Sequence, residues 1–321
     1  MWIVISLTIR PQSGELILAR KVYWRPLSLN SIRDGSVQIG SGRSPLLAVL
    51  FLAVLLVALD IAMVGPALPA IRDHFGIDER AAAWTLNVFV LFNLLGVPLM
   101  AKFADAVGRR AVFVADVSLV AAGALVVAAS PTFEVLLLGR ALQGAGAAGI
   151  FPVASAVVGD EIPQERQGRA LGVLGSVFGL AFIIGPAAGG ILLRYSWKWL
   201  FLAPIPLALV AITLGRRYVP STKGGVPLAG FDLRGLLLLS VTLLALAISS
   251  NGIDSTNFVA SLAKTRVWGG AVIALLFGFL TSRVVARAEE PLLPRSVFGS
   301  RQARLAIALT IAAGFCEAVL I

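Results

Sequence analysis

The sequence predicts an all-α membrane protein with about nine spanning helices. Of its 321 residues, 58% are hydrophobic and only 14% are charged, and the mean hydropathy is +0.90. Soluble domains do not have this composition. The apolar residues also fall into runs of about 20, the length that a helix needs to cross a bilayer. Because lipid offers backbone groups no partner, each run is expected to be a helix.

The nine apolar runs follow one another, and most joints between them contain helix-breaking residues. Their ranges are 46–68, 83–101, 111–129, 133–157, 169–193, 199–219, 233–250, 268–286 and 304–321. Pro69, Ser130-Pro131, Pro163, Pro220 and Asn251-Gly252 stand in the joints. Residues 1–45 lack the basic region and cleavage site of a signal peptide. We interpret them as an N-terminal cytoplasmic tail; sequence upstream of the true start codon is the alternative.

The distribution of basic residues predicts the orientation of these helices. If the N-terminus is cytoplasmic, twenty of the 27 Lys and Arg residues lie on the inner side and six on the outer side, with Arg140 inside a helix. Cytoplasmic loops carry such an excess of Lys and Arg. We therefore predict a multi-pass protein of the plasma (inner) membrane with its N-terminus in the cytoplasm.

The composition speaks against enzymes, metal proteins and nucleic-acid-binding proteins. One Cys and one His provide neither a metal cluster nor a nucleophile pair. The net charge of +10 is spread between apolar runs and not gathered on one soluble domain. Gly144 to Gly149 matches the dinucleotide fingerprint by letter but follows no strand. We predict no cofactor, no metal and no nucleic-acid partner.

Two charged residues are predicted to meet inside the bilayer. Counted from Leu46, Asp60 lies about 21 Å along the first run, about 9 Å short of the far edge of the hydrocarbon core. Counted from Phe133, Arg140 lies about 10 Å below the same edge. Intramembrane ions are functional candidates by default. A transport role and a purely structural ion pair between helices 1 and 4 both remain open.

Two further features of the predicted helices are structural candidates. Asp116 lies about 8 Å into the third helix, where it could reach the lipid headgroups or the basic pair Arg109-Arg110. The fifth run carries small residues and a proline at helical spacing, which predicts a packing face that slides or flexes. The members of this stripe are Gly168, Gly172, Gly175, Gly179, Pro186 and Gly189.

Four segments resemble the major facilitator superfamily, and more narrowly its 14-helix drug:proton antiporters. Residues 101–110, with Asp105, Gly108, Arg109 and Arg110, are similar to the signature between helices 2 and 3, except that Ala101 and Ala106 replace the usual glycine and basic residue. The other three similarities concern helices 4, 5 and 1. Residues 140–146, which include Arg140, Gln143 and Gly144, are similar to the helix 4 motif. Gly185-Pro186 with Gly189-Gly190 is similar to the antiporter motif of helix 5. Leu59-Asp60 with residues 66–69 is similar to the helix 1 motif.

The resemblance implies a domain organisation. It comprises the tail 1–45, a six-helix transporter domain over 46–219, a linker with two inserted helices over 220–302, and the first helix of an incomplete C-terminal domain over 303–321. A complete member has about five more helices, so we expect a fragment that requires its C-terminal half. Glu317 occupies the position in the ninth run that Asp60 has in the first; pseudo-symmetry between halves and an ordinary carboxylate near a helix end remain alternatives.

The resemblance also implies a function. It is secondary transport, the export of lipophilic or cationic drug-like compounds in exchange for protons. Asp60, Arg140 and Glu317 are the candidates for coupling and substrate binding. Asp105 with Arg109 and Arg110 is implied to form a charge contact between helix ends, although a solvated turn also fits. The alternative function is a non-transporting membrane fragment with a regulatory role or none.

Overall fold

The computed structural model describes residues 44–221, 232–253 and 264–285, together with the single positions 287, 304, 305 and 308. Within these ranges the chain forms nine helices without strands. The helices are α1 (Ser44–Phe75), α2 (Glu79–Val107), α3 (Arg109–Ala129), α4 (Phe133–Glu161), α5 (Gln164–Leu193), α6 (Trp199–Leu202), α7 (Ile205–Tyr218), α8 (Leu233–Asn251) and α9 (Thr265–Val285).

Eight spans in the described residues are long and apolar enough to cross a membrane, with α6 and α7 together forming one of them. They correspond to the first eight predicted runs. The prediction that Pro69 ends the first helix is wrong, because α1 continues through Pro66 and Pro69 to Phe75. Neighbouring helices and local backbone adjustments allow proline inside membrane helices. Glu317 and most of the ninth run lie outside the described residues.

The helix ends follow from local hydrogen bonding at the joints. The Asp78 carboxylate accepts from the Ala81 N–H and caps α2, and Asp232 caps α8 through the Gly235 N–H. Side-chain oxygens at these positions satisfy N–H groups that have no intrahelical partner. Gly108 separates α2 from α3 with a φ of 98°, which residues with a side chain rarely adopt.

Helix α4 is the centre of the bundle and packs against α2, α3 and α5. It buries 15 of its 29 residues. Its glycines permit backbone contact on two sides: a methyl group at Gly144 would collide with the Phe89 carbonyl of α2, and one at Gly146 would collide with the backbone of α3. Small residues of this kind let membrane helices approach closely.

Helix α5 is covered at only one end of its predicted packing face in the described part of the chain. Methyl groups at Gly168, Gly172, Gly175 and Gly179 would meet no atom within 4 Å among the described residues, so the face predicted at these four glycines has no neighbour there. The end near Pro186 does pack, since Gly185 lies against Ala62 of α1. The helix runs unbroken through Pro186. Much of α5 therefore presents an unoccupied apolar surface in the described part of the chain.

Helices α8 and α9 form a hairpin that packs on itself and, through α8, on α2. The Ser249 hydroxyl of α8 donates to the Val267 carbonyl of α9 over 2.8 Å. The Asn251 amide donates to the Arg80 carbonyl at the start of α2 over 3.1 Å. Among the described residues, the hairpin is thus attached to the rest of the bundle through the contact of α8 with α2.

Candidate functional site

The structure brings Asp60 of α1 and Arg140 of α4 into a buried ion pair. The Arg140 Nη1 donates to the Asp60 Oδ2 over 2.7 Å. Asp60 is 4% exposed and Arg140 is fully buried. Both residues were predicted from their depth in the bilayer.

Gln143 completes this pair as a third member. Its Nε2 donates to the Asp60 Oδ1 over 3.0 Å, and its Oε1 accepts from the Arg140 Nη1 over 2.8 Å. Positions three apart lie on the same side of a helix, which is why Gln143 and Arg140 of α4 both reach Asp60. The sequence placed Gln143 only in a conformational motif. We refer to Asp60, Arg140 and Gln143 as the Asp60 cluster.

Helix α2 fixes the guanidinium of the cluster. The Arg140 Nε donates to the Thr85 carbonyl over 3.0 Å, and the guanidinium carbon lies 4.4 Å from the centroid of the Phe89 ring. A cation over an aromatic face is attracted by the ring quadrupole. Sequence reasoning did not identify Thr85 or Phe89, because their contribution depends on the register between α2 and α4.

The cluster borders a narrow cavity between α1, α3 and α7. The cavity holds about 10 Å³ and is lined by Leu56, Asp60, Val120, Gln143 and Ala208, among others. That is room for about one water molecule. Drug-sized ligands occupy pockets of roughly 300–1,000 Å³, so these walls alone do not enclose such a ligand.

A second group of charges lies where α2 meets α3. Arg109 forms an ion pair with Asp160 near the end of α4 and also donates to the Ala156 carbonyl over 2.8 Å. The Arg110 Nε donates to the Val219 carbonyl after α7. Asp105 is exposed on the last turn of α2. Sequence reasoning missed Asp160, which was indistinguishable from an ordinary residue at a helix end.

The structure corrects the expectation for Asp116. Its side chain reaches neither headgroups nor the basic pair: Asp116 is 1% exposed, and neither carboxyl oxygen has a hydrogen-bond partner in the described residues. The carboxyl group lies against Gly149 of α4, where an added methyl group would collide with the Oδ2.

Two further sequence predictions concern the site: a coupling role for Glu317, and no bound metal. Glu317 lies outside the described residues, so its relation to Asp60 stays a prediction. Within ranges 44–221, 232–253 and 264–285, no three His, Cys, Asp or Glu side chains are grouped so that they could hold a metal ion.

A sequence profile of the Major Facilitator Superfamily matches residues 50–321. The chain belongs to this superfamily. It is 34% identical over 253 residues to the uncharacterized MFS-type transporter YfiU of Bacillus subtilis, covering 77% of this chain and 48% of that protein. It is 30% identical over 265 residues to the multidrug transporter protein MdtP of the same organism, covering 81% and 48%.

Solved structures of superfamily transporters share the fold. The human organic anion transporter MFSD10 superposes with a TM-score of 0.52 at 17% identity, over 75% of this chain and 71% of that chain. The peptide transporter POT superposes with a TM-score of 0.56 at 16% identity, over 78% and 54%. The chain spans about half the length of the curated relatives YfiU and MdtP. It is thus a multi-pass membrane protein of a transporter family and not of an enzyme family.

Proposed function

We propose that this chain forms the N-terminal half of a secondary transporter that exports lipophilic or cationic compounds in exchange for protons. The observation that carries the proposal is the buried Asp60 cluster. Its charges lie within the spanning helices α1 and α4, where ions are costly and mark transport pathways. Among the matched relatives, MdtP is named a multidrug transporter and MMF1 of Pseudozyma antarctica an efflux pump.

The cluster can couple two ligands through one carboxylate. In the structure, the Asp60 carboxylate accepts from Arg140 and Gln143. A proton on Asp60 would remove the negative charge that compensates the buried guanidinium. A cationic compound would likewise compete with Arg140 for that carboxylate. Asp60 therefore binds a proton or a cation in turn, and binding either one changes the contact between α1 and α4.

A second half of the transporter would supply what the described helices lack. Alternating access moves one bundle against another around a site near the midplane. The small cavity at Asp60 needs an opposing wall to enclose a compound, and the exposed glycines of α5 offer a close-packing surface for it. Glu317 would face Asp60 from that side. The charges at Asp105, Arg109 and Arg110 would regulate the closure of the cytoplasmic end.

A second candidate function is a membrane fragment that does not transport by itself. The observation behind it is that the chain spans about half of the relatives YfiU and MdtP. Such a fragment would insert in the membrane and act by pairing with another chain, or would have no activity. Vesicles that contain only the purified 321-residue chain distinguish this candidate. Proton-dependent dye efflux from them would refute it and would imply a dimer of two copies.

The transport proposal is tested in a complete protein that carries this half. Asp60→Asn retains the shape of the side chain but not its titratable charge, so proton-driven efflux should be lost while the protein still folds. Asp60→Glu should retain partial activity. The matched control is Asp73→Asn, which removes an exposed carboxylate from the same helix. Efflux by Asp60→Asn at the parent rate, with its dependence on the proton gradient retained, would assign Asp60 to structure alone.

The proposed orientation has its own test in intact cells. In a Cys316→Ser background, single cysteines at Ala106 and Ser221 should resist a membrane-impermeant thiol reagent. A cysteine at Ser255 should react. Labelling of the first two positions in sealed cells would reverse the orientation that the basic residues predict.

A further inference from the structure

Asp116 is a buried carboxyl group that the transport site does not use. It lies on α3, about 9 Å from the Asp60 cluster as measured along α4 from Gln143 to Gly149. Neither of its oxygens has a hydrogen-bond partner in the described residues. Asp60, by comparison, accepts from two donors.

The position of Asp116 is formed by close packing of α3 and α4. The Oδ2 lies where a side chain at Gly149 would be, and the Asp116 carbonyl lies where one at Gly146 would be. Met100 of α2 covers the same glycine. Three helices therefore enclose the carboxyl group, and only glycine at position 149 leaves room for it.

Charged groups in the surrounding helices lie toward the helix ends or in the Asp60 cluster. At the helix ends near Gly108 they are Lys102 and Asp105 on α2, Arg109 and Arg110 on α3, Asp160 and Glu161 on α4, and Arg216 and Arg217 on α7. At the opposite ends they are Arg72, Asp73 and His74 on α1, Glu79 and Arg80 on α2, and Glu134 on α4. Asp60 and Arg140 belong to the cluster. Within the described part of the chain, none of them hydrogen-bonds to Asp116. Arg109 lies about 10 Å away along α3 and pairs with Asp160.

An ionised carboxylate without a donor is far more costly to bury than a neutral acid. Burying an unpaired neutral polar group is unfavourable, whereas burying an isolated ion costs much more, so such a group neutralises instead. In the packed bundle the neutral acid is therefore the form that fits. Ionisation would require water at the carboxyl group, and separation of α4 from α3 would admit it.

We propose that Asp116 is a second proton-binding site, a neutral carboxylic acid between α3 and α4 that releases its proton when the two helices separate. On release, the O–H bond breaks, the proton passes to water and the carboxylate remains on α3. Proton binding and helix packing are thus linked at this position, since only the packed form favours the proton. This site is independent of the transport proposed for Asp60.

Infrared spectroscopy of the purified chain in lipid vesicles tests the protonation directly. At neutral pH the parent should show the C=O stretching band of a carboxylic acid, and Asp116→Asn should lose it. Asp73→Asn is the matched control and should retain this band, because it removes an exposed carboxylate of α1 far from the buried acid. If the difference spectrum between the parent and Asp116→Asn contains only carboxylate bands, Asp116 is ionised and the proposal is wrong. Neither result depends on transport activity.

A glycine pair provides a second test that does not alter the carboxyl group. In Gly149→Ala, the added methyl group displaces the Asp116 carboxyl, so the acid band should shift or disappear. Gly159→Ala adds the same methyl group to open space on the same helix and should leave the band unchanged. An unchanged band in Gly149→Ala would contradict the assigned position.

Amide hydrogen exchange tests the link to packing. As pH rises, exchange in residues 112–120 of the parent should increase more than exchange in α1, which serves as the internal reference. In Asp116→Asn this excess should be lost, because the amide stays neutral. If residues 112–120 show the same additional rise in exchange in both proteins, the release of the Asp116 proton on helix separation is wrong.

Discussion

Asp60 and Asp116 are two buried aspartates in the same bundle with opposite surroundings. Asp60 lies between α1 and α4 and accepts from Arg140 and Gln143. Asp116 lies between α3 and α4, and its oxygens have no donor among the described residues. Burial is nearly the same, at 4% and 1% exposed. What differs is the hydrogen-bond donor beside each carboxyl group. That donor decides whether the fold stabilises the ionised or the neutral form.

This difference separates two uses of a carboxyl group in a membrane. Where a buried cation compensates it, the charge is part of the structure, and removal of one partner leaves the other uncompensated. Where no cation is present, the neutral acid behaves as a small polar group that glycines accommodate. The following variants test this distinction through unfolding in mixed detergent micelles, from the largest expected effect to the smallest.

Asp60→Leu should destabilise the chain most, by about 3–5 kcal/mol, because it leaves the Arg140 guanidinium buried without its counter-ion. The control is the double variant Asp60→Leu with Arg140→Leu, which removes both charges and should regain most of the loss. A single variant as stable as the parent would show that Arg140 finds another partner or reaches water.

Gln143→Met should cost about 1.5–3 kcal/mol, since a hydrogen bond to a charged group is worth about this much. The methionine side chain has similar length but does not donate to the Asp60 Oδ1. Gln167→Met, at a half-buried site in the first turn of α5, provides the comparison. It removes hydrogen bonds only to the neutral carbonyls of Gly159 and Ile162, so it should change the unfolding free energy less. If both variants lose the same unfolding free energy, the hydrogen bond from Gln143 does not stabilise the Asp60 cluster.

Gly144→Ala should cost about 1–3 kcal/mol through overpacking. Its methyl group would collide with the Phe89 carbonyl and push α2, and with it the ring over Arg140, away from α4. Gly159→Ala, at an open position on the same helix, is expected to be neutral. If the two alanine variants unfold alike, the close approach of α2 and α4 is not required.

Asp116→Leu should have the smallest effect, within about 1 kcal/mol of the parent, because removal of an unsatisfied polar group offsets the change in shape. The comparison is Asp60→Leu in the same assay. A loss as large as that of Asp60→Leu would mean that Asp116 is ionised and paired, and the distinction between the two sites would fail.

The sequence predicted the spanning helices well because length and composition determine them. Eight predicted runs correspond to helical spans, and Asp60 and Arg140 stood out because charge is rare in such runs. The break at Ala203-Pro204 between α6 and α7 was missed, although Pro204 was visible in the sequence.

Contacts between helices were much harder to predict. Lipid-facing and protein-facing residues are both apolar, so the pattern does not indicate which face of α3 or α5 is buried. This is why Asp116 was expected to reach the headgroups or the basic pair and not to lie between α3 and α4. Thr85, Phe89 and Asp160 depend on register between helices, which no local pattern specifies. The spacing of Arg140 and Gln143 was the one available signal for the third member of the cluster.

The long separation of Asp60 and Arg140 along the chain has a consequence for biosynthesis. The two residues are 80 positions apart, and ribosomes add about 5–20 residues per second, so Asp60 is made about 4–16 s before its partner. During that interval α1 has no Arg140 to compensate its carboxylate. Because a charge at the bilayer centre is costly, we expect the nascent helix to wait beside the insertion machinery until α4 emerges. The ion pair is therefore a late product of synthesis, and a pause between α3 and α4 would prolong the unpaired state.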